Sequence, residues 1–145
     1  MTVIADIAEL LGGRRALQAK PRSATEWLDV VRRGIPVDSA EALKRWMAIG
    51  DDVLADLLGV SQKTLSRARN AHARLDPVTS DRLFRVARIG ALAIELLEDD
   101  GRALNWLKRP QIGLGGRTPL SLLTTDVGCA EVEKLLLRIE HGVYA

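Results

Sequence analysis

The run VLADLLGVSQKTLSRARN, from Val53 to Asn70, narrows the possible folds more than any other stretch of the chain. Its apolar positions recur at helical spacing, break at Gly59-Val60 and resume behind Ser61, so two helices must meet across a tight corner. Ala55 supplies the small residue that such a crossing needs, and Gly59 tolerates positive φ at the corner. Leu54, Leu58, Val60, Leu65 and Ala68 fall where the two helices bury apolar groups against each other. The pattern predicts a helix-turn-helix over residues 51 to 71.

The rest of the chain also reads as helices. Val3, Ile4, Ile7, Ala8, Leu10 and Leu11 repeat at helical spacing behind Thr2, and Gly12-Gly13 stops them. Ser23 and Glu26 have capping-box spacing and open a helix carrying Trp27, Leu28, Val30 and Val31, which ends before Gly34. Ile35-Pro36 forces an extended step. Asp38 with Glu41 is then expected to start a helix holding Leu43, Trp46, Met47 and Ile49, closed by Gly50. A loop is expected from His72 to Thr79 around Pro77, followed by the longest helix, from Ser80 to Glu98.

Beyond Asp99 the texture changes. A short helix from Gly101 to Lys108 runs into Pro110, and QIGLGGR forms a glycine-rich loop. Thr118-Pro119 begins another short helix as cap and first-turn proline. Asp126 is expected to cap a final helix with Val127, Val132, Leu135, Leu136 and Ile139, ended by Gly142. No strand alternation is sustained and no period repeats. The expected fold is all-α: a helical domain over residues 1 to 90 that contains the helix-turn-helix, then a small helical domain over residues 91 to 145.

At 145 residues the chain can bury a hydrophobic core without staples. A lone Cys129 excludes an intramolecular disulfide and fits a reducing compartment, so the cytoplasm is expected. The N-terminal stretch has acids within its apolar pattern and does not resemble a signal peptide, and no apolar run approaches the ~18 residues of a membrane span. Catalysis finds little support. His72 and His141 read as surface groups, and Asp99-Asp100 as a solvated helix end rather than a metal site. GLGGRTP has neither the preceding strand nor the spacing of a nucleotide loop. No enzyme activity, metal or cofactor is expected.

Charge is unevenly spread. Residues 61 to 90 carry Lys63, Arg67, Arg69, Arg74, Arg82, Arg85 and Arg88 against Asp76 and Asp81, while both flanks are slightly acidic. Such a belt is the footprint of a phosphate-binding face; a solvated helix face is the bland alternative. With Leu65 and Ala68 inward, helical spacing turns Gln62, Lys63, Ser66, Arg67 and Arg69 outward or toward the ends. Ser61 caps the second helix, whose first-turn amides can face a DNA phosphate. Gln62 and Arg67 are the expected base readers, and Lys63, Thr64 and Arg69 the expected backbone contacts. A single such motif reads a two-fold operator as a homodimer.

WLKRP at 106 to 110, LGGRTPLSLLTTDVG at 114 to 128 and LLLRIEHGVYA at 135 to 145 together resemble the toxin-binding domain of the Xre/MbcA/ParS antitoxin family. The preceding helix-turn-helix is similar to the Xre part of that family. The resemblance implies a RES-domain toxin as partner, an NAD-consuming enzyme whose active-site entrance the C-terminal domain blocks, and repression of the antitoxin's own operon. The motif positions are Trp106, Pro110, Gly115, Gly116, Arg117, Thr118, Pro119, Arg138, Glu140, Gly142 and Tyr144. Trp106, Pro110, Gly115, Gly116, Thr118 and Pro119 read as builders of the turn and local core; Arg138, Glu140 and Tyr144 as direct contacts. Two other readings stay open: a free-standing regulator whose C-terminal third only dimerises, and an interaction module whose helix-turn-helix is scaffold.

Overall fold

The structure, a computed structural model, describes the backbone of residues 3–140 and the side chains from Ile7 onward; Gly142 and Tyr144 lie outside the described residues. Among the described residues there are ten α-helices, one 3-10 turn and no strand. None of the helices described is long and apolar enough to cross a membrane. The chain divides into two compact units, Met1–Arg88 and Ile89–Ala145.

The first unit holds α1 (Val3–Leu10), α2 (Gly13–Leu17), α3 (Ala24–Arg33), α4 (Val37–Met47), α5 (Asp51–Leu58), α6 (Gln62–Ala71) and the first half of α7 (Pro77–Leu97). Its core is aliphatic, with Ile7, Leu11, Leu17, Leu43, Met47, Leu54, Leu58, Leu65 and Leu83 all removed from solvent. Two aromatic rings join it: Trp27 of α3 packs on Phe84 of α7 with centroids 5.1 Å apart and planes tilted by 56°. Gly12-Gly13 interrupts the first helix as expected, but the chain re-enters helix at once, and α2, absent from the sequence reading, buries Leu17.

Ser23 opens α3 as read: its Oγ accepts the Glu26 N–H at 3.2 Å, and Glu26 Oε2 accepts the Arg22 N–H at 3.2 Å. The extended step at Ile35-Pro36 is also present, and it has a mate. Val37 N–H donates to Ala73 at 2.9 Å and Leu75 N–H to Ile35 at 2.8 Å, so the α3–α4 connection is laced to the segment after α6. Buried Ser80 completes the lacing: its Oγ accepts the Ile35 N–H at 2.8 Å and donates to the Leu75 carbonyl at 3.2 Å.

Three helix boundaries of the first unit differ from expectation. Asp38 does not cap α4, because Pro36 takes the cap position and Asp38 falls inside the first turn. Gly50 does not close that helix; Ala48 does, in the left-handed conformation at φ 52°, and Gly50 is instead the extended residue before α5. The loop expected up to Thr79 is shorter, since Pro77 starts α7 and Asp76 Oδ1 accepts the Thr79 N–H at 2.7 Å. A proline in the first turn lacks only an N–H that would have had no partner there.

The second unit holds the end of α7, α8 (Asp100–Lys108), the 3-10 turn Ile112–Leu114, α9 (Pro119–Leu122) and α10 (Asp126–Glu140). Ala103, Leu107, Leu123, Cys129, Val132 and Leu136 form its core. Cys129 is buried and acts there as a small apolar residue. Asp99 caps α8, accepting the Arg102 N–H at 2.8 Å. Asp126 is not the cap of α10: Thr125 is, its Oγ1 accepting the Gly128 N–H at 2.9 Å, which leaves Asp126 in the first turn.

Candidate nucleic-acid and partner-binding surfaces

In the first unit α5 and α6 form the helix-turn-helix. Gly59 ends α5 at φ 68° and ψ 33°, the left-handed geometry that admits glycine without a steric cost. Leu54, Ala55, Leu58 and Leu65 are buried, while Val60 and Ala68 are half-buried, so all five apolar positions and the small residue lie on the inner side. Ser61 caps α6, accepting the Thr64 N–H at 3.0 Å, and the two hydroxyls bond to each other at 2.9 Å. Ser61, Gln62, Lys63, Thr64 and Arg67 are exposed, and Ser66 and Arg69 half-buried. The start of α6 thus exposes Gln62 and Lys63 beside the capped first turn, the part of such a helix that can face phosphates and base edges.

The basic belt is less uniform than its sequence. Arg69 does not extend outward: its guanidinium donates to Glu41 of α4 at 2.7 Å and to Asp51 of α5 at 2.8 Å. The hydrogen bond to Glu41 raises the Arg69 pKa above its ordinary value, with Asp51 adding to it. Arg74 donates to the Gly34 carbonyl at 2.9 Å and Gln18 Oε1 at 3.1 Å, and Arg82 to the Leu58 carbonyl. Those three bases have work inside the unit, and Lys63 and Arg67 are its exposed cations on α6.

The second unit presents a different surface. Gln111 and Arg117 close a tight turn: Gln111 N–H donates to Arg117 at 3.0 Å, Gly116 N–H to Gln111 at 3.0 Å, and the Gln111 amide to the Trp106 carbonyl at 3.1 Å. Gly115 and Gly116 carry positive φ within it. Leu114 is the buried foot of the turn, and Ile112, at its crest, is 86% exposed. Thr118 caps α9 through the Ser121 N–H, with Pro119 buried behind it. Beside the turn an open pocket of about 400 Å³ is lined by Arg102, Asn105, Trp106, Arg109 and Gln111.

The sequence-derived partner residues therefore split. Trp106 and Thr118 are half-buried and belong to the fold of the turn; Pro110, Arg117, Arg138 and Glu140 are exposed. Ile112 is not among the residues the sequence singles out, and Val127, expected with the apolar residues of the final helix, is instead 74% exposed on the first turn of α10. Gly128 was missed too. A Cβ there would collide with the Leu122 carbonyl, so the α9–α10 contact requires a residue without one.

A helix-turn-helix unit followed by a second helical unit with a hydrogen-bonded glycine turn defines a DNA-binding-type protein carrying an added recognition module. Residues 26–88 match the Antitoxin Xre-like helix-turn-helix domain, and residues 92–142 the Antitoxin Xre/MbcA/ParS C-terminal toxin-binding domain. The chain is 34% identical over 122 residues to an Antitoxin Xre of Yersinia enterocolitica, covering 83% of this chain and 82% of that protein. It is 31% identical over 115 residues to an Antitoxin Xre of Photorhabdus laumondii, covering 79% and 78%. A protein of Sphingobium sp. named Prs ADP-ribosylating antitoxin is 26% identical over 135 residues, covering 85% and 83%. The chain belongs to the Xre antitoxin family.

Proposed function

We propose that this antitoxin neutralises a RES-domain toxin that consumes NAD, by covering the toxin's active-site entrance with the second unit, and that it represses its own operon as a cytoplasmic homodimer through α6. The observation that carries the reading is the pairing of the two matched domains with two separate exposed surfaces, one cationic at the start of α6 and one around the turn 111–117. Exposed Arg117, Arg138, Glu140 and Ile112 are the proposed toxin contacts, together with Tyr144. Trp106, Pro110, Gly115, Gly116, Thr118 and Pro119 hold the shape they sit on. Gln62 and Arg67 read bases, while Ser61, Lys63, Thr64 and Ser66 fix the register on phosphates.

A second reading of the toxin draws on the Sphingobium relative, whose name couples it to ADP-ribosylation, a transfer that also uses NAD. One experiment separates the readings. The chain is purified with the product of the adjacent gene, and nicotinamide release from NAD is followed with and without it. Free ADP-ribose whose formation the chain suppresses supports the NAD-degrading toxin; label transferred to protein supports the second reading; NAD loss unaffected by a bound chain rejects both. Loss of the dimer in a chain ending near Asp100, with no partner bound by the full chain, would favour the free-standing regulator.

A further inference from the structure

Four charged side chains of the first unit close into one network. Arg69 on α6 donates from Nε to Glu41 Oε1 at 2.7 Å and from Nη2 to Glu41 Oε2 at 3.2 Å, a two-pronged grip on one carboxylate. The same Nη2 donates to Asp51 Oδ1 at 2.8 Å. Lys44 Nζ donates to Asp51 Oδ1 at 2.9 Å and to Glu41 Oε1 at 3.3 Å. Two cations face two anions, and the network joins α4, the first residue of α5 and the far end of α6.

The position of the network along α6 gives it a purpose. Leu65 is the one fully buried residue of that helix. With one fully buried side chain and half-buried Ala68 beside it, apolar packing alone leaves much of the helix's rotation and tilt to other contacts. Arg69 lies four residues on, one turn along the same face, and supplies the second fixed point. Its planar fork defines a direction as well as a distance, which an ammonium would not. Glu41 is only 14% exposed and Arg69 31%, so the grip is shielded from the screening that makes open surface pairs worth little. A guanidinium already engaged by two carboxylates must surrender those bonds to reach a phosphate, and it has no condensed counterions of DNA to displace while it stays in place.

We infer that Glu41 and Asp51 are positioning residues for the recognition helix, and that Arg69 serves operator binding by clamping α6 to them rather than by touching DNA. The inference rests on the proposed reading of α6 as a DNA-binding helix and revises one residue's part in it.

The test is fluorescence anisotropy of the full chain on promoter DNA of its own gene, across a series of salt concentrations. Wild type is compared with Arg69→Ala, Glu41→Gln, Arg69→Lys and Lys63→Ala. The clamp predicts that Arg69→Ala and Glu41→Gln weaken binding about tenfold with an unchanged salt slope, Arg69→Lys falling between them and wild type. Lys63→Ala, a phosphate contact, flattens the slope by about one. A slope flattened by about one in Arg69→Ala overturns the clamp, as does tighter, more salt-sensitive binding by Glu41→Gln or unaltered binding by both. Should Arg69→Ala lose its helical circular dichroism, Glu41→Gln, which keeps the side-chain shape, decides alone. A wild-type chain indifferent to its promoter removes the DNA reading itself, and the clamp with it; wild-type binding with unaffected variants removes only the clamp.

Discussion

Arg82 Nη1 donates to the carbonyl oxygen of Leu58 across 3.2 Å, so α7 satisfies an acceptor at the end of the first helix of the helix-turn-helix. The last carbonyls of a helix have no partner of their own, and here a guanidinium supplies one at the favourable end of the helix dipole. Its tip also lies where a Cβ on Gly59 would fall, 2.6 Å away. Arg82→Ala is expected to lower unfolding free energy by about 1 kcal/mol, measured by urea titration, and to leave the salt slope of DNA binding unchanged. A flattened slope would make Arg82 a phosphate ligand instead.

Arg67 is exposed on α6, one turn beyond Lys63. As a base reader it should cost about 1–3 kcal/mol of operator affinity when replaced by alanine and relax preference at one base position. Binding selections with randomised operators check this: a uniform loss across sequences would assign Arg67 to the backbone.

Ile112 stands 86% exposed on a turn closed by Gln111 and Arg117, so its substitution removes no core packing. Ile112→Asp is expected to leave thermal unfolding and promoter binding as they are, and to weaken toxin capture by about tenfold in pull-down titrations. Capture at wild-type strength would exclude the crest of the turn from the interface.

Acid should destabilise the first unit through two carboxylates. The hydrogen bond from Lys44, joined by that from Arg69, holds Asp51 below its ordinary value of 3.8, and the Thr79 backbone N–H does the same for Asp76. A pKa lowered by folding contributes stability that is complete above 3.8 and is lost as pH falls through the folded values. Urea midpoints are thus expected to decline as pH drops below 3.8, and less steeply in an Asp51→Asn, Asp76→Asn chain. Identical pH profiles for the two chains would contradict the assignment.

Ala48 terminates α4 at φ 52°, where a side chain is crowded against its own backbone. Ala48→Gly should therefore stabilise the chain by about 1 kcal/mol, although glycine elsewhere in a helix does the opposite. A lower melting temperature in calorimetry would refute this.

What the sequence disclosed and what it hid follow a physical line. Ser23, Ser61, Thr118 and the Gly59 corner were legible because a cap or a turn is decided by residues three or four apart. The starts assigned to Asp38 and Asp126 missed by one or two positions, since Pro36 and Thr125 compete for the same role and propensity alone does not rank them. Arg69 was read as an outward cation because its partners lie 28 and 18 residues away. Helical periodicity says which face a side chain leaves from, not which carboxylate waits there. Ile112 escaped notice for the opposite reason: in a glycine-rich loop there is no periodicity to betray an apolar residue pointing at water.

The backbone lacing between Ile35-Val37 and Ala73-Leu75 has a consequence for biogenesis. A nascent chain that has emerged only as far as Ala71 contains all of the helix-turn-helix, yet lacks Ala73 and Leu75, which pair with Val37 and Ile35. Those two follow soon after, and Ser80, which binds Ile35 as well, arrives with the opening turn of α7. The helix-turn-helix is therefore expected to reach its full protection from proteolysis only once the opening turn of α7 has been made.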